Sequence, residues 1–147
     1  MSLYDPVTLA YIAGCLDSDG FFTIRRDTRS MKAKSRTPTH VAMVGLRQVT
    51  PHVPHLLCEL FSGHLGITKP TAERGRDVIG WHVTARQSVV VCEAVLPFLR
   101  IKPDQARVLI ELQARKTLGG RGRVPDIELA ERDRLAVLVQ TMNKRGV

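Results

Sequence analysis

Residues 12–20 read Ile-Ala-Gly-Cys-Leu-Asp-Ser-Asp-Gly. They include the end of an apolar run that extends from Leu9 to Leu16. The run predicts a helix over 7–16, and two acids, Asp17 and Asp19, follow it directly. Carboxylates are unfavourable at a helix C-terminus because that end carries the negative pole of the helix dipole. The arrangement therefore predicts a helix that is buried in an interface and whose end binds a cation.

The same segment has a helical face that is nearly free of side chains. Ala10, Gly14 and Asp17 are spaced i, i+4 and i+7 and so share one side of a helix, with Ala13 beside them. Small residues on one face allow a second helix to approach backbone to backbone. A neighbouring helix of the same chain is the alternative partner, but that alternative does not explain the acids at the helix end.

The charge of the chain indicates a polyanionic partner. In 147 residues, Lys and Arg number 22 against 14 Asp and Glu, which gives a net charge of +8 and a pI near 10. Nucleic acid is the simplest such partner, although basic ribosomal and membrane-surface proteins have a similar balance. The length fits one domain over 1–147, with a C-terminal helical extension over about 120–147.

Cysteine usage and hydropathy predict an intracellular protein that is neither secreted nor inserted in a membrane. Cys15, Cys58 and Cys92 lie far apart in apolar settings without CxxC spacing, which indicates reduced core thiols. No stretch approaches the ~20 apolar residues of a membrane span, and the N-terminus lacks the basic region of a secretion signal. No cysteine pair or HExxH motif accompanies the histidines, so no zinc site is predicted.

The remaining pattern predicts the element order α-β-β-α-β-β-α-α-α. After the first helix it predicts strands over 21–29 and 41–50, a helix over 51–61, strands over 64–69 and 78–84, and helices over 87–99, 103–118 and about 127–142. The third helix is expected to bury Val90, Cys92, Val95 and Leu99. The fourth is expected to carry Val108, Leu109, Leu112 and Leu118 as its apolar residues.

Segment 12–20 resembles the LAGLIDADG signature of homing endonucleases. Five residues match that signature letter for letter, namely Ala13, Gly14, Asp17, Asp19 and Gly20. Further matches follow in the family's order at 21–24, 48–50, 81–84 and 97–102, the last with Gln105 and Ala106. The resemblance spans nearly the whole chain. It implies the α+β LAGLIDADG endonuclease fold, α-β-β-α-β-β-α with C-terminal helices, in which four antiparallel strands form a DNA-binding saddle.

The resemblance implies a site-specific double-strand DNA endonuclease of intron homing that hydrolyses phosphodiester bonds at a long pseudo-palindromic target. The family places a divalent metal on the second acid of the motif and on the carbonyl before it, here Asp19 and Ser18. Mg²⁺ is the expected ion, with Mn²⁺ as an alternative, and Ca²⁺ is expected to support binding without cleavage. Because the chain has one motif, a homodimer is implied, with an interface at Ala10, Ala13, Gly14 and Asp17. Asp17 is expected to be structural, either closing the helix end or reaching the partner helix.

The resemblance also implies further catalytic residues. Lys102 matches the family's active-site lysine, which is expected to polarise water or to offset charge on the phosphate. Just after the second strand the family commonly has a polar residue, often Gln, where this chain has Pro51. Gln48 lies further back along the strand, and His55 aligns with the family's basic residue one turn later. Both are catalytic candidates.

DNA recognition is expected from polar and charged residues on the saddle and its tips. Arg pairs with guanine and Gln with adenine in the major groove. For each single residue, a phosphate contact or a solvated surface charge is an equally good interpretation. The candidates are Arg25, Asp27, Arg29, Lys32, Lys34, Arg36, Gln48, Lys69, Arg74 and Arg76.

Other functions remain open at this stage. Some proteins with this fold bind nucleic acid without cutting it, as intron RNA maturases or transcription regulators, and they usually lack the metal-binding acid that this chain has in Asp19. A dual role with intron RNA as a second partner is compatible with the residues. A basic ribosome-associated protein would explain the charge but not the motif. The expected location is wherever the target DNA resides, in a bacterial, phage or archaeal cytoplasm or in an organelle.

Overall fold

The computed structural model describes residues 4–27, 38–70, 75–118 and 124–144, which form five α-helices and four β-strands. In chain order the elements are α1 (Pro6–Asp19), β1 (Gly20–Asp27), β2 (Thr39–Gln48), α2 (His52–Phe61), β3 (His64–Thr68), β4 (Val78–Thr84), α3 (Ala85–Val95), α4 (Pro103–Leu118) and α5 (Asp126–Lys144). The predicted α+β class and element order are confirmed. No helix in the described ranges is long and apolar enough to cross a membrane.

Helix α1 begins at an aspartate cap and runs through both acids of the motif. The Asp5 carboxylate accepts a hydrogen bond from a first-turn N–H at 3.1 Å, and Pro6 lies in that turn, both of which favour a helix start. The helix ends at Asp19 rather than at the predicted Leu16. Strand β1 follows at once from Gly20, so the two acids of the motif lie at the junction of helix and sheet.

Helix α3 is shorter at its C-terminus than the sequence predicts. It ends at Val95, and a single 3-10 turn, Leu96–Phe98, follows it. Pro97 lies in this turn and has no N–H, so it cannot continue the α-helical hydrogen-bond ladder. The backbone is extended at Leu99 and leads to the start of α4. This connection passes beside the end of α1.

The four strands form one antiparallel sheet in the order β1-β2-β4-β3. In the register, Phe22 pairs with Val44, Val44 with Val83, and Leu46 with Trp81, and all five of these side chains are buried. Successive residues of a strand point to opposite faces. The residues between the buried ones therefore form the opposite side of the sheet, here called the open face, which includes Thr23, Arg25, Met43, Arg47, His64 and His82.

Some residues predicted to be buried are exposed. Val90 is 42% exposed and Leu118 is 87% exposed. Val91 takes the core position on α3, and the last buried residue of α4 is Leu112, so Leu118 lies beyond the part of the helix that packs. Of the three cysteines predicted as core thiols, only Cys92 is buried and the other two are half-buried.

Helix α5 packs on the covered face of β1 and β2 through a polar cluster. Asp133 Oδ1 accepts from Arg26 Nε at 3.0 Å and lies 2.7 Å from Nε2 of the fully buried His40. Lys116 Nζ of α4 donates to the His40 carbonyl at 2.6 Å. Asn143, near the end of α5, donates to the Phe22 carbonyl at 2.9 Å. The C-terminal helix is therefore an integral layer of the fold.

Candidate active site and nucleic-acid interface

Asp19 is the exposed acid at the end of α1, and Gln48 lies against it. The Gln48 side-chain amide Nε2 donates to Asp19 Oδ2 at 2.9 Å. The position of Gln48 further back along the strand therefore does not prevent its side chain from reaching the acid. The same bond also corrects the assignment of Gln48 to DNA recognition, because its side chain is directed at Asp19 and not onto the open face. Gln48 is thus a neighbour of the acid.

Lys102 lies on the other side of the same junction. Its Nζ donates to the Gly20 carbonyl at 2.6 Å and to the Leu16 carbonyl at 3.3 Å. Burial lowers the pKa of Lys102 below its ordinary value of 10.5, while the carboxylates of Asp17 and Asp19 act in the opposite direction. The ammonium group is therefore held at the C-terminal end of α1, where helix carbonyls and acids concentrate negative charge.

Asp17 is turned inward and binds the backbone that leads into α4. Its carboxylate accepts from the backbone N–H groups of Arg100 at 2.8 Å, Ile101 at 3.1 Å and Lys102 at 3.0 Å. The side chain is only 8% exposed. Both carboxylate oxygens accept hydrogen bonds within the chain. Asp17 therefore links α1 to the segment that carries Lys102, and its predicted contact at a dimer interface is corrected.

The oxygen donors at this junction fit a divalent ion that is shared with other ligands. In the part of the chain that the structure describes, no three His, Cys, Asp or Glu side chains cluster so that they could hold a metal. Asp19 is exposed, and the Ser18 carbonyl lies in the last helical turn, where carbonyls lack helical N–H partners. The Ser18 hydroxyl donates to the Gly14 carbonyl at 3.1 Å. Mg²⁺ commonly takes one or two carboxylates and completes its shell with phosphate and water.

His55 is not brought to this junction. It is exposed in the first half of α2, where its backbone N–H donates to the Pro51 carbonyl at 3.0 Å. Its side chain lies in a groove with Thr50 and Glu59. Among the described residues the structure records no contact of His55 with Asp19 or Lys102, so the geometry does not support His55 as a catalytic residue.

The outward side of α1 is apolar and bare. Val7 is 76% exposed and Tyr11 is 48% exposed, and Ala10 and Gly14 between them are exposed as well. Outside the nearby backbone of the helix itself, a Cβ built on Gly14 would meet no atom of the described residues within 4 Å. Ala13, which the sequence analysis placed in a dimer interface, is instead fully buried in its own core. One residue is a rotation of about 100° on a helix, so Ala13 and Gly14 face different sides although they are neighbours.

The open face of the sheet carries basic residues that the sequence analysis partly missed. Arg25 was predicted as a DNA contact and is exposed there, but Arg47 was not proposed and is also exposed on this face. His64 and His82 pair across β3 and β4, and their ring centroids are 5.0 Å apart. The period-2 alternation of Val44 and Leu46 with Arg47 would have identified the position of Arg47.

The other predicted DNA contacts have mixed outcomes. Lys69 forms an ion pair with Asp77 at 3.2 Å near the β3–β4 tip, and Arg76 is exposed beside it. Asp27 ends β1 opposite Thr39. Arg29, Lys32, Lys34, Arg36 and Arg74 lie outside the described residues.

The fold is similar to that of solved homing endonuclease structures. I-CvuI, crystallised with the I-CreI target in 2 mM Mg with the DNA not cleaved, gives a TM-score of 0.72 at 16% identity over 96% of this chain and 85% of that chain. The archaeal intron-encoded I-Vdi141I, complexed with DNA, gives 0.72 at 13% identity over 92% and 84%. The group I intron-encoded I-CeuI, complexed with DNA, gives 0.58 at 15% identity over 80% and 59%. No protein-family model and no curated protein sequence matches the chain.

The architecture is thus an α+β fold in which a four-stranded antiparallel sheet directly follows a first helix that ends in an acid. More specifically, the described residues have the fold of the LAGLIDADG homing endonucleases, as the motif predicted.

Proposed function

We propose that this protein is a site-specific endonuclease that cleaves both strands of DNA, acts as a homodimer and uses divalent ions, Mg²⁺ first among them. The observation that carries the proposal is the meeting of Asp19, Gln48 and Lys102 where α1 passes into β1. This junction adjoins both the basic open face of the sheet and the bare outward side of α1. The neighbours with this fold are DNA-bound homing endonucleases, which supports the substrate class by analogy.

The homodimer is supported by the outward side of α1. An isolated chain would leave Val7 and Tyr11 in water beside an uncovered Gly14. Covering this stripe with the same stripe of a second copy buries apolar surface, and the glycine allows the two backbones to approach. Each chain supplies a single acid of this kind, Asp19, whereas cutting two strands requires an acid near each scissile phosphate. Two copies would supply both acids near a common axis.

Each residue of the junction has a distinct task in the proposed hydrolysis. Asp19 and the Ser18 carbonyl would hold a divalent ion, which when bound supplies charge stabilisation and activates water for attack on a phosphodiester. Gln48 fixes the orientation of the Asp19 carboxylate through its amide. The Lys102 ammonium would offset the negative charge that develops on the phosphate.

The proposed biological role is the homing of an intron or of an independent mobile gene, inside the compartment that contains the target DNA. A long target makes such cutting rare, and two identical subunits predict a nearly palindromic target. Arg25, Arg47 and Arg76 are the described basic residues best placed to contact it, since each is exposed on the open face or at the β3–β4 tip.

A randomised duplex library would test the proposal directly. The library is selected for binding in Ca²⁺, and the bound pool is then challenged with Mg²⁺. A nearly palindromic consensus that is cut in both strands supports the proposal, including the dimer. Selection of a consensus without any cutting contradicts the endonuclease and favours a binding protein of the same fold, such as a maturase or a transcription regulator.

A further inference from the structure

A group of basic side chains occupies the middle of the open face. The group consists of Arg25 on β1, Arg47 on β2, His64 on β3 and His82 on β4. The register places His82 opposite Gly45 of β2 on one side and opposite His64 on the other. Trp81, next to His82, is buried, so the His82 imidazole points to the open face.

The two imidazoles face each other at close range. Their ring centroids are 5.0 Å apart and their planes are inclined by 42°. His64 is exposed and His82 is half-buried. Two rings at this distance resist simultaneous protonation, since the second positive charge would lie beside the first.

Two glycines keep the surface around Arg47 low. Arg47 pairs with Gly80 on β4, and Gly80 pairs with Gly66 on β3. A Cβ on Gly80 would lie 3.5 Å from Arg47 Cγ, and a Cβ on Gly66 would meet only the His64 ring. The Arg47 side chain therefore lies over Gly80 and the His64 ring over Gly66, and both basic groups are exposed on the open face.

The charges around His82 select the kind of ligand. Burial and then the neighbouring His64, Arg25 and Arg47 lower the pKa of His82 below its ordinary value of 6.5. Each of these three neighbours is basic, and no carboxylate among the described residues acts on the ring. Two arginines beside a histidine pair disfavour a metal cation and favour a polyanion. A phosphate bound among these side chains would place negative charge beside the imidazoles, where the neighbouring basic groups now place positive charge.

We propose that Arg47, His64 and His82 form the central DNA-contacting group of each subunit, and that the histidine pair takes up a proton from solvent when DNA binds. This inference rests on the proposed function, because it assumes that DNA lies on the open face. Binding then strengthens as the pH falls. The gain begins at the pKa that His82 has in the complex and ends at the lower pKa that His82 has in the free protein.

The test measures the affinity for a labelled mixed-sequence duplex in EDTA, at constant ionic strength, between about pH 5.5 and 7.5. For each unit by which DNA raises the pKa, we expect about a tenfold gain in affinity at low pH. The double variant His64→Gln with His82→Gln should lose most of that gain and bind with little pH dependence. His52→Gln is the matched control, because it removes an exposed imidazole from α2 on the covered side of the sheet.

Imidazole signals in NMR spectra provide a second measurement that does not depend on any variant. The titration of His82 should move to higher pH when the duplex is added to the wild-type protein. Tight DNA binding with the same pH dependence in wild type and double variant, or with an unmoved His82 titration, overturns this inference alone. Absence of duplex binding at every pH overturns the proposed function as well.

Discussion

The amide of Gln48 donates to the carboxylate of Asp19 across 2.9 Å, although the two residues are 29 positions apart in the chain. The bond joins the end of β2 to the end of α1, so the sheet that would bind DNA also orients the acid that would cut it. A hydrogen bond to a charged acceptor is stronger than one between neutral groups. The orientation of Asp19 is thus set by the fold before any ligand binds.

Replacing Gln48 by Ala should slow cleavage by about tenfold to a hundredfold, the usual effect of losing a partner that orients a metal ligand. The carboxylate of Asp19 would remain but would sample other rotamers. Single-turnover cleavage of the selected target at saturating protein measures the effect. Gln140→Ala on α5 is the control, and equal rates for both variants would contradict an orienting role for Gln48.

The variant Asp19→Asn should abolish cleavage and leave DNA binding intact. The substitution keeps the shape of the side chain and removes the charge that would hold a divalent ion. Gel-shift affinity in Ca²⁺ and cleavage in Mg²⁺ report the two activities separately. Asp126→Asn, an exposed acid in the first turn of α5, is the control. Full cutting by the Asp19 variant would refute the assignment of the metal site.

Removing the positive charge of Lys102 should eliminate cleavage without loss of stability. Burial lowers the pKa of this residue, so the folded state binds fewer protons than the unfolded state between the lowered pKa and 10.5. In that window stability rises with pH, while cleavage falls as the ammonium deprotonates. Lys102→Met should remove both the rise of stability and the fall of cleavage with pH. Urea unfolding and cleavage rates measured over a range of pH would test this. If the cleavage rate of the variant fell at alkaline pH as it does in the wild type, Lys102 would not be the group whose deprotonation stops cleavage.

Replacing Asp17 by Asn should destabilise the protein by about 2–3 kcal/mol, since buried backbone N–H groups would lose a charged acceptor. Urea unfolding measures the free energy of unfolding. Asp5→Asn is the matched control because Asn caps a helix about as well as Asp, so its effect should stay below ~0.5 kcal/mol. Equal stability of the two variants would show that the three hydrogen bonds to Asp17 contribute little.

The substitution Gly14→Gln should convert the protein to a monomer. Gln favours a helix more than Gly does by roughly 0.5–1 kcal/mol, and a Cβ at this position meets no described atom within 4 Å outside the nearby helix backbone, so folding should not suffer. Light scattering with thermal unfolding measures both properties. Ala130→Gln, at an exposed position of α5, is the control. A dimer that persists in Gly14→Gln would place the interface elsewhere.

The order of elements and the approach of Lys102 to the end of α1 could be predicted because the motif and the match at 97–102 carry them. The approach of Gln48 to Asp19 could not, because it depends on a register that a shift of one residue inverts, whereas the alternation of β2 would have placed Arg47 on the open face. Ala13 was misplaced for the corresponding reason on a helix. Small size marks residues that permit close packing, but it does not say which side of the helix they face.

Asp17 and Asp19 are two positions apart, which on a helix separates their directions by about 200°. Asp17 is therefore buried and hydrogen-bonded inside the protein, while Asp19 is exposed at its surface. The single residue between them produces this separation. Adding or deleting a single residue between them would turn one acid by about 100° relative to the other, so Asp17 and Asp19 could not both keep their present positions. The motif thus tolerates changes of identity at its apolar positions far better than any change of length.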